Sequence, residues 1–293
     1  MNRFLGRVVT DNTNNTITLQ SNDNGAIQNG SGISYYKNKN KKYEGSWKNG
    51  IENGWGKIYD SKTSQLIYEG MITNGQRHGT GTSTFAQRIV YVGEWLNNLY
   101  HGKGIVTDGR MIYNGSFVNG FKEGTGVLKS NDLLVYDGLW SCNKQHGWGK
   151  YYNNGTKTYD GQIKNNMRHG HGECSKDGIV TYIGDLRNDI KHGHGILFQH
   201  GKKIYEGEWK NNKRHGQGVE YCEELKVFNG QWLHNKRRDR TTSNVDEDDG
   251  IYCFINDNDE PDTDVKINNS DSEDSDGSEY NSDDNNNVNY DKT

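Results

Sequence analysis

Proline is nearly missing from this chain, and its one copy, Pro261, stands close to the C-terminal end. Proline is the residue that removes a ladder donor, so nothing of that kind interrupts strand pairing over the preceding residues. Cysteine is also scarce. Cys142, Cys174, Cys222 and Cys253 show no C-x-x-C spacing, so no disulfide framework is expected and a reducing, cytoplasmic compartment is the default. No apolar run reaches 18 residues, so nothing reads as a bilayer-spanning helix. Met1 to Arg7 lacks the apolar stretch of a signal peptide, and neither terminus carries a lipidation motif. Any membrane contact is therefore expected from the surface, as a peripheral association. P-loop, G-x-S-x-G and H-E-x-x-H sequences are missing too. No catalytic residue, cofactor or metal is expected.

Hydrophobic residues make up only 30% and mean hydropathy is −1.07. Such values exclude a thick core, and in an ordinary globule they would indicate disorder. What is present argues otherwise. Eighteen Tyr, seven Trp and 38 Gly carry the pattern, and a ring buries a large area per residue.

Those residues recur. Tyr205-Glu206-Gly207-Glu208-Trp209 runs on to Arg214-His215-Gly216-Gln217-Gly218, a unit written Y-x-G-x-W-x-x-[GN]-x-x-H-G-x-G. Its leading ring returns at Tyr43, Tyr68, Tyr91, Tyr113, Tyr136, Tyr159, Tyr182, Tyr205 and Phe228, in steps of 22 to 25 residues. A fixed period of this length marks a repeat array. Tyr, Gly and Trp at alternate positions share one side of a strand, while Glu206 and Glu208 and their counterparts face the other. Asn, Gly or Asp then fill two turn positions, as at Asn211-Asn212, which suits a tight hairpin. The H-G-x-G element opens a second strand, and its two glycines are expected on the same face. Each unit is thus a hairpin. Glycine under each ring suggests that rings lie on bare backbone of the neighbouring strand. Eight units give sixteen strands in one antiparallel layer.

The resulting expectation is an all-β, elongated single-layer sheet in three parts. Residues 1–42 hold a degenerate capping repeat, with Leu19, Ser21 and Asp23 at the Tyr, Gly and Trp positions. Residues 43–238 form the array, closed by a half repeat, and 239–293 form an acidic disordered tail. Within that tail Ile251 to Ile255 is the one apolar stretch. Residues 1–238 carry 32 Lys and Arg against 21 Asp and Glu, whereas 239–293 carry 3 against 18.

The unit resembles the MORN repeat, the membrane occupation and recognition nexus, in eight copies. Asn53 and Glu123 replace the His of the first and fourth, and Ile72, Phe117, Ile163 and Leu186 stand in for Trp. The resemblance implies a non-enzymatic scaffold for protein–protein interaction or self-association. The alternative it implies is a peripheral binder of anionic phospholipid. The repeat-packing aromatics are Tyr43, Trp47, Tyr68, Tyr91, Trp95, Tyr113, Tyr136, Trp140, Tyr159, Tyr182, Tyr205 and Trp209.

Two columns invite chemistry. The His column (His78, His101, His146, His169, His192, His215) repeats every two strands, ~9–10 Å, too far for successive members to share one zinc easily. Hydrogen bonding within or between turns accounts for it better. The basic column comprises Arg77, Lys122, Lys144, Arg168, Lys191, Lys213, Arg214, Lys236, Arg237 and Arg238. These residues are expected along one hairpin edge, either as a solvated rim or as a ladder for an anionic partner. The acidic tail is expected to shield that edge within the molecule. Nucleic acid is not expected, because rings packed over glycine are not free to stack on bases.

Overall fold

The computed structural model of the protein describes residues 20–21 and 27–238, with side chains from residue 29 onward. Leu19, Asp23, the tail 239–293 and the stretch 251–255 lie outside the described residues. Among the described residues twenty strands, each antiparallel to its neighbours in sequence, form one sheet. The eight units supply sixteen, as expected. Gln20–Ser21 and Ile27–Tyr35 precede them, and Leu225–Leu233 and Lys236–Arg238 follow. In a representative unit, Lys202–Lys210 and Lys213–Cys222 are joined by Asn211 and Asn212 at φ +53° and +62°. Two positive values define the hairpin turn whose twist matches that of the flanking strands.

Register places every unit's glycine opposite another glycine. Gly32 pairs with Gly45, Gly45 with Gly56 and Gly56 with Gly70. The row continues strand by strand, ending with Gly207 to Gly218 and Gly218 to Gly230. Over this row lie the tyrosines. A Cβ built on Gly104 would meet the Tyr91 ring at 2.5 Å and its hydroxyl at 2.4 Å. The ring therefore rests on backbone that no side chain separates from it. All eight tyrosines are at most 1% exposed. Each hydroxyl donates to the carbonyl three residues on, as from Tyr136 to Leu139 (2.7 Å) and Tyr205 to Glu208 (2.9 Å). Burying such a ring is worth roughly 2–3 kcal/mol, and the bonded hydroxyl avoids the cost of a buried orphan.

Tryptophan ties one unit to the one before. Trp140 meets Tyr136 of its own unit and Tyr113 of the preceding one edge-on, with centroids 5.3 and 5.1 Å apart. Its indole N–H donates to the Gly126 carbonyl (3.1 Å), and Trp95, Trp209 and Trp232 repeat this at Gly81, Gly195 and Gly218. Trp47 has no such acceptor among the described residues.

One expectation needs correcting. The two glycines of H-G-x-G do not share a face. Gly138 pairs with Gly149 and Trp140 with Gln145, so two residue steps on one strand face four on the other. The surplus forms a bulge, with Gly147 at φ +87°. A Cβ there would point at Leu139 on the face away from the rings, while Gly149 lies under Tyr136.

Turns are latched across units. The Asn143 amide donates to the Lys122 carbonyl (3.2 Å), and the Lys122 amide donates back to Asn143 Oδ1 (2.7 Å). Asn98, Asn166, Asp189, Asn212 and Asn235 make the same reciprocal pair. Gly120 keeps only the backbone half, to Tyr100. Gly120 is at φ +86°, near the +69° of Asn98, so Asn fits there. Gly120→Asn is expected to stabilise the array by about 0.5–1.5 kcal/mol, seen as a higher urea midpoint. An unchanged or lower midpoint would contradict the latch.

Candidate interaction surfaces

The basic column divides between two places. Arg77, Lys122, Arg168, Lys191, Arg214 and Arg237 pair directly with Ile72, Phe117, Ile163, Leu186, Trp209 and Trp232, so they share the ring face. There they lie over the aromatics. Lys122 Nζ sits 5.0 Å from the Tyr113 centroid and 5.2 Å from that of Trp140. Lys191 does the same with Tyr182 and Trp209, Arg77 with Tyr68 and Trp95, and Arg214 with Tyr205 and Trp232. A cation over a ring contributes about 0.5–2 kcal/mol, more as water is excluded. Burial holds the Lys122 ammonium below its ordinary pKa. Arg168 is also paired with Asp189 (2.9 Å), and Arg214 and Arg237 meet the buried Glu220 at 3.4 and 2.7 Å. These six cations clamp neighbouring units together.

Lys144, Lys213 and Lys236 instead stand exposed at hairpin tips, and Arg238 is exposed on the last strand. The tips carry further cations that the sequence reading passed over: Lys48, Lys164, Arg187 and Lys210, all exposed. They were legible as the last residue before a turn. Across the nine tips, from 48–51 to 233–236, the one carboxylate is Asp189, held by Arg168. Glu123, just inside, turns its carboxylate onto the Cys142 amide (2.9 Å). Large apolar side chains share this edge, notably Leu99, Val118 and Phe121 at 47, 45 and 51% exposure. The opposite edge is mixed, with Asp60, Asp108, Asp132, Asp177, Glu223 and Glu224 in its turns.

The face away from the rings holds the residues between Tyr, Gly and Trp. Trp55 and Trp148 stand there half-exposed, with Met71 directly opposite Trp55 and Leu139 one strand from Trp148. Val92 and Ile105 form another uncovered pair. Farther along the same face the rows turn polar. His171 Nδ1 lies 3.4 Å from Asp185 Oδ1, and His169 Nδ1 lies 3.3 Å from Asn188 Oδ1 in the next turn. Among the described residues no three His, Cys, Asp or Glu side chains are gathered as metal ligands. Cys142 and Cys174 are free thiols. No described helix is long and apolar enough to cross a membrane.

Comparison with known families gives one match. The MORN repeat matches residues 43–62, 68–87, 91–109, 113–133, 136–157, 159–180, 182–199 and 205–224. No curated protein matches the chain. The matched segments begin at the eight ring-row tyrosines, so the sheet's physical period and the family's unit coincide.

Proposed function

Since the chain belongs to the MORN repeat family, we propose that it is a non-enzymatic scaffold that docks protein through the side chains its sheet leaves uncovered. MORN repeats generally mediate protein–protein interaction. The observation that carries the reading here is Trp55 and Trp148, 52 and 54% exposed on the face away from the rings. A tryptophan at such a position contributes nothing to ring-over-glycine packing, and uncovered aromatic surface is where interface energy concentrates.

A second reading, peripheral association with anionic phospholipid, is favoured by the hairpin tips, whose single carboxylate is already paired. Each cation close to an anionic membrane is worth about 1 kcal/mol, so several acting together would suffice. On that reading, removing the 18 acidic residues of 239–293 strengthens lipid binding.

One experiment separates them. Wild type and Trp55→Ser/Trp148→Ser are compared by affinity capture with quantitative mass spectrometry, by light scattering, and by sedimentation with phosphatidylserine vesicles. The scaffold reading expects a set of partners, or self-association, that the double variant loses. It falls if the two proteins capture the same set at the same mass, and salt-sensitive sedimentation would then favour lipid.

A further inference from the structure

Charge is divided unevenly along the hairpin tips, with Lys48 at the first and none again until Lys144. Tips 96–99 and 118–121 present Leu96, Leu99, Val118 and Phe121 and no charge at all. Leu99 leans along the edge, its Cδ2 lying 3.9 Å from where a Gly120 side chain would begin. From tip 141–144 onward every tip carries a cation: Lys144, then Lys164, then Arg187, then Lys210 with Lys213, then Lys236. The edge thus has an uncharged apolar block followed by five tips that each carry a cation, with Met167 and Ile190 also exposed among them.

We propose that this edge is a docking site for an extended protein segment in which an apolar anchor adjoins an acidic run. The inference rests on the scaffold reading and names its partner's chemistry. Successive tips are two strands apart, so ~9.6 Å. An extended polyproline-II chain advances ~3.1 Å per residue and returns every third side chain to the same side, so one carboxylate at every third position meets each tip in turn. Five tips span four intervals, and the acidic run needs about 12 residues to reach from one end to the other. The anchor fills the Leu99–Phe121 block, excluding water and supplying affinity, while the charges set direction and register. A lipid surface is uniform in its plane and rewards no such division, so two blocks in sequence point to a directional chain.

The test uses the full chain and three labelled synthetic peptides of one composition. The first has a Trp-Leu-Leu anchor followed by Asp at every third residue, and the second has the same blocks in reverse order. The third scatters the anchor residues among the Asp. The readout is the ratio of affinities, by fluorescence anisotropy, because the acidic residues of the chain's own tail act on all three peptides alike. One block order is expected to bind at least ~10-fold tighter than the scattered peptide, a ~1.4 kcal/mol preference. Leu99→Ser/Phe121→Ser and Lys164→Glu/Arg187→Glu/Lys210→Glu should each abolish that preference. All five positions are exposed, and unchanged circular dichroism verifies that the variants fold. Equal binding of the three peptides, indifference to both variants, or binding of phosphatidylserine vesicles alone would overturn the proposal. The scaffold reading stands apart from that outcome, since its own test turns on Trp55 and Trp148.

Discussion

Gly104→Val is expected to destabilise the array by about 3 kcal/mol or more, at the upper end of what overpacking a filled site costs. The cause is local and complete. A Cβ at Gly104 would sit 2.4 Å from the Tyr91 hydroxyl and 2.5 Å from its ring, well inside contact distance. The ring cannot retreat easily, because Tyr100 stacks on it at 3.8 Å and Trp95 and Phe117 meet it edge-on. Displacing it also breaks the bond from its hydroxyl to the Glu94 carbonyl (2.7 Å). Gly155→Val supplies the comparison. That glycine is in a turn with nothing within 4 Å of a new side chain, and its cost is limited to φ +80°. Urea unfolding followed by circular dichroism measures both. Equal losses at the two positions would mean that the row of glycines is turn chemistry alone, with no role beneath the rings.

Most of the fold was legible because two independent periods agree. The alternation of Tyr43, Gly45 and Trp47 fixes which side of the strand is buried, and the 23-residue step repeats the decision until it cannot be accidental. Turn chemistry was legible too, since Asn and Gly are what two positive φ values require. The bulge at H-G-x-G was not. Two glycines one residue apart look like two residues on the same face, and only pairing against Gly138 and Trp140 shows the added residues.

The destination of the basic column was hidden by the turn beside it. Arg77, Lys122, Lys191 and Arg214 stand next to the turn in sequence, yet they pair across to the ring face. A signal for this lay in the chain: Trp95, Trp140, Trp209 and Trp232 each stand eighteen residues after one of those four cations. Where Glu52, Tyr100 and Gln145 occupy the cation's position, Ile72, Phe117 and Ile163 occupy that of the tryptophan. Cation and indole thus come as a pair from neighbouring units, except at Arg168, which is followed by Leu186 and is held by Asp189. The latch was missed for a related reason. Asn143 was read for its backbone tolerance, and its Oδ1 acceptor has meaning only once Lys122 of the previous unit lies beside it. What a surface binds was the least legible, because exposed Trp55 and Trp148 break no rule of packing or pairing.

Ring burial also fixes how the protein must respond to alkali. Burial pushes the phenols of Tyr43, Tyr68 and Tyr113 up to about 12 and raises those of Tyr91, Tyr136, Tyr159, Tyr182 and Tyr205 further. In an unfolded chain the same groups ionise near pH 10. Since the folded values are the higher ones, the stability they contribute is complete below pH 10 and is lost as pH rises through the folded values. Each pKa unit is worth ~1.4 kcal/mol, so a few such tyrosines together rival the ~5–15 kcal/mol that holds an ordinary domain folded. The array is therefore expected to unfold between about pH 10 and 12, before its buried phenols ionise in place. An alkaline titration that follows phenolate absorbance and the β-sheet circular dichroism signal on one sample measures this directly. If rings resting on glycine hold the sheet together, the ring-row tyrosines will ionise in a steep step that coincides with loss of the sheet signal. Smooth ionisation of all tyrosines near pH 10 with the sheet signal intact would contradict it.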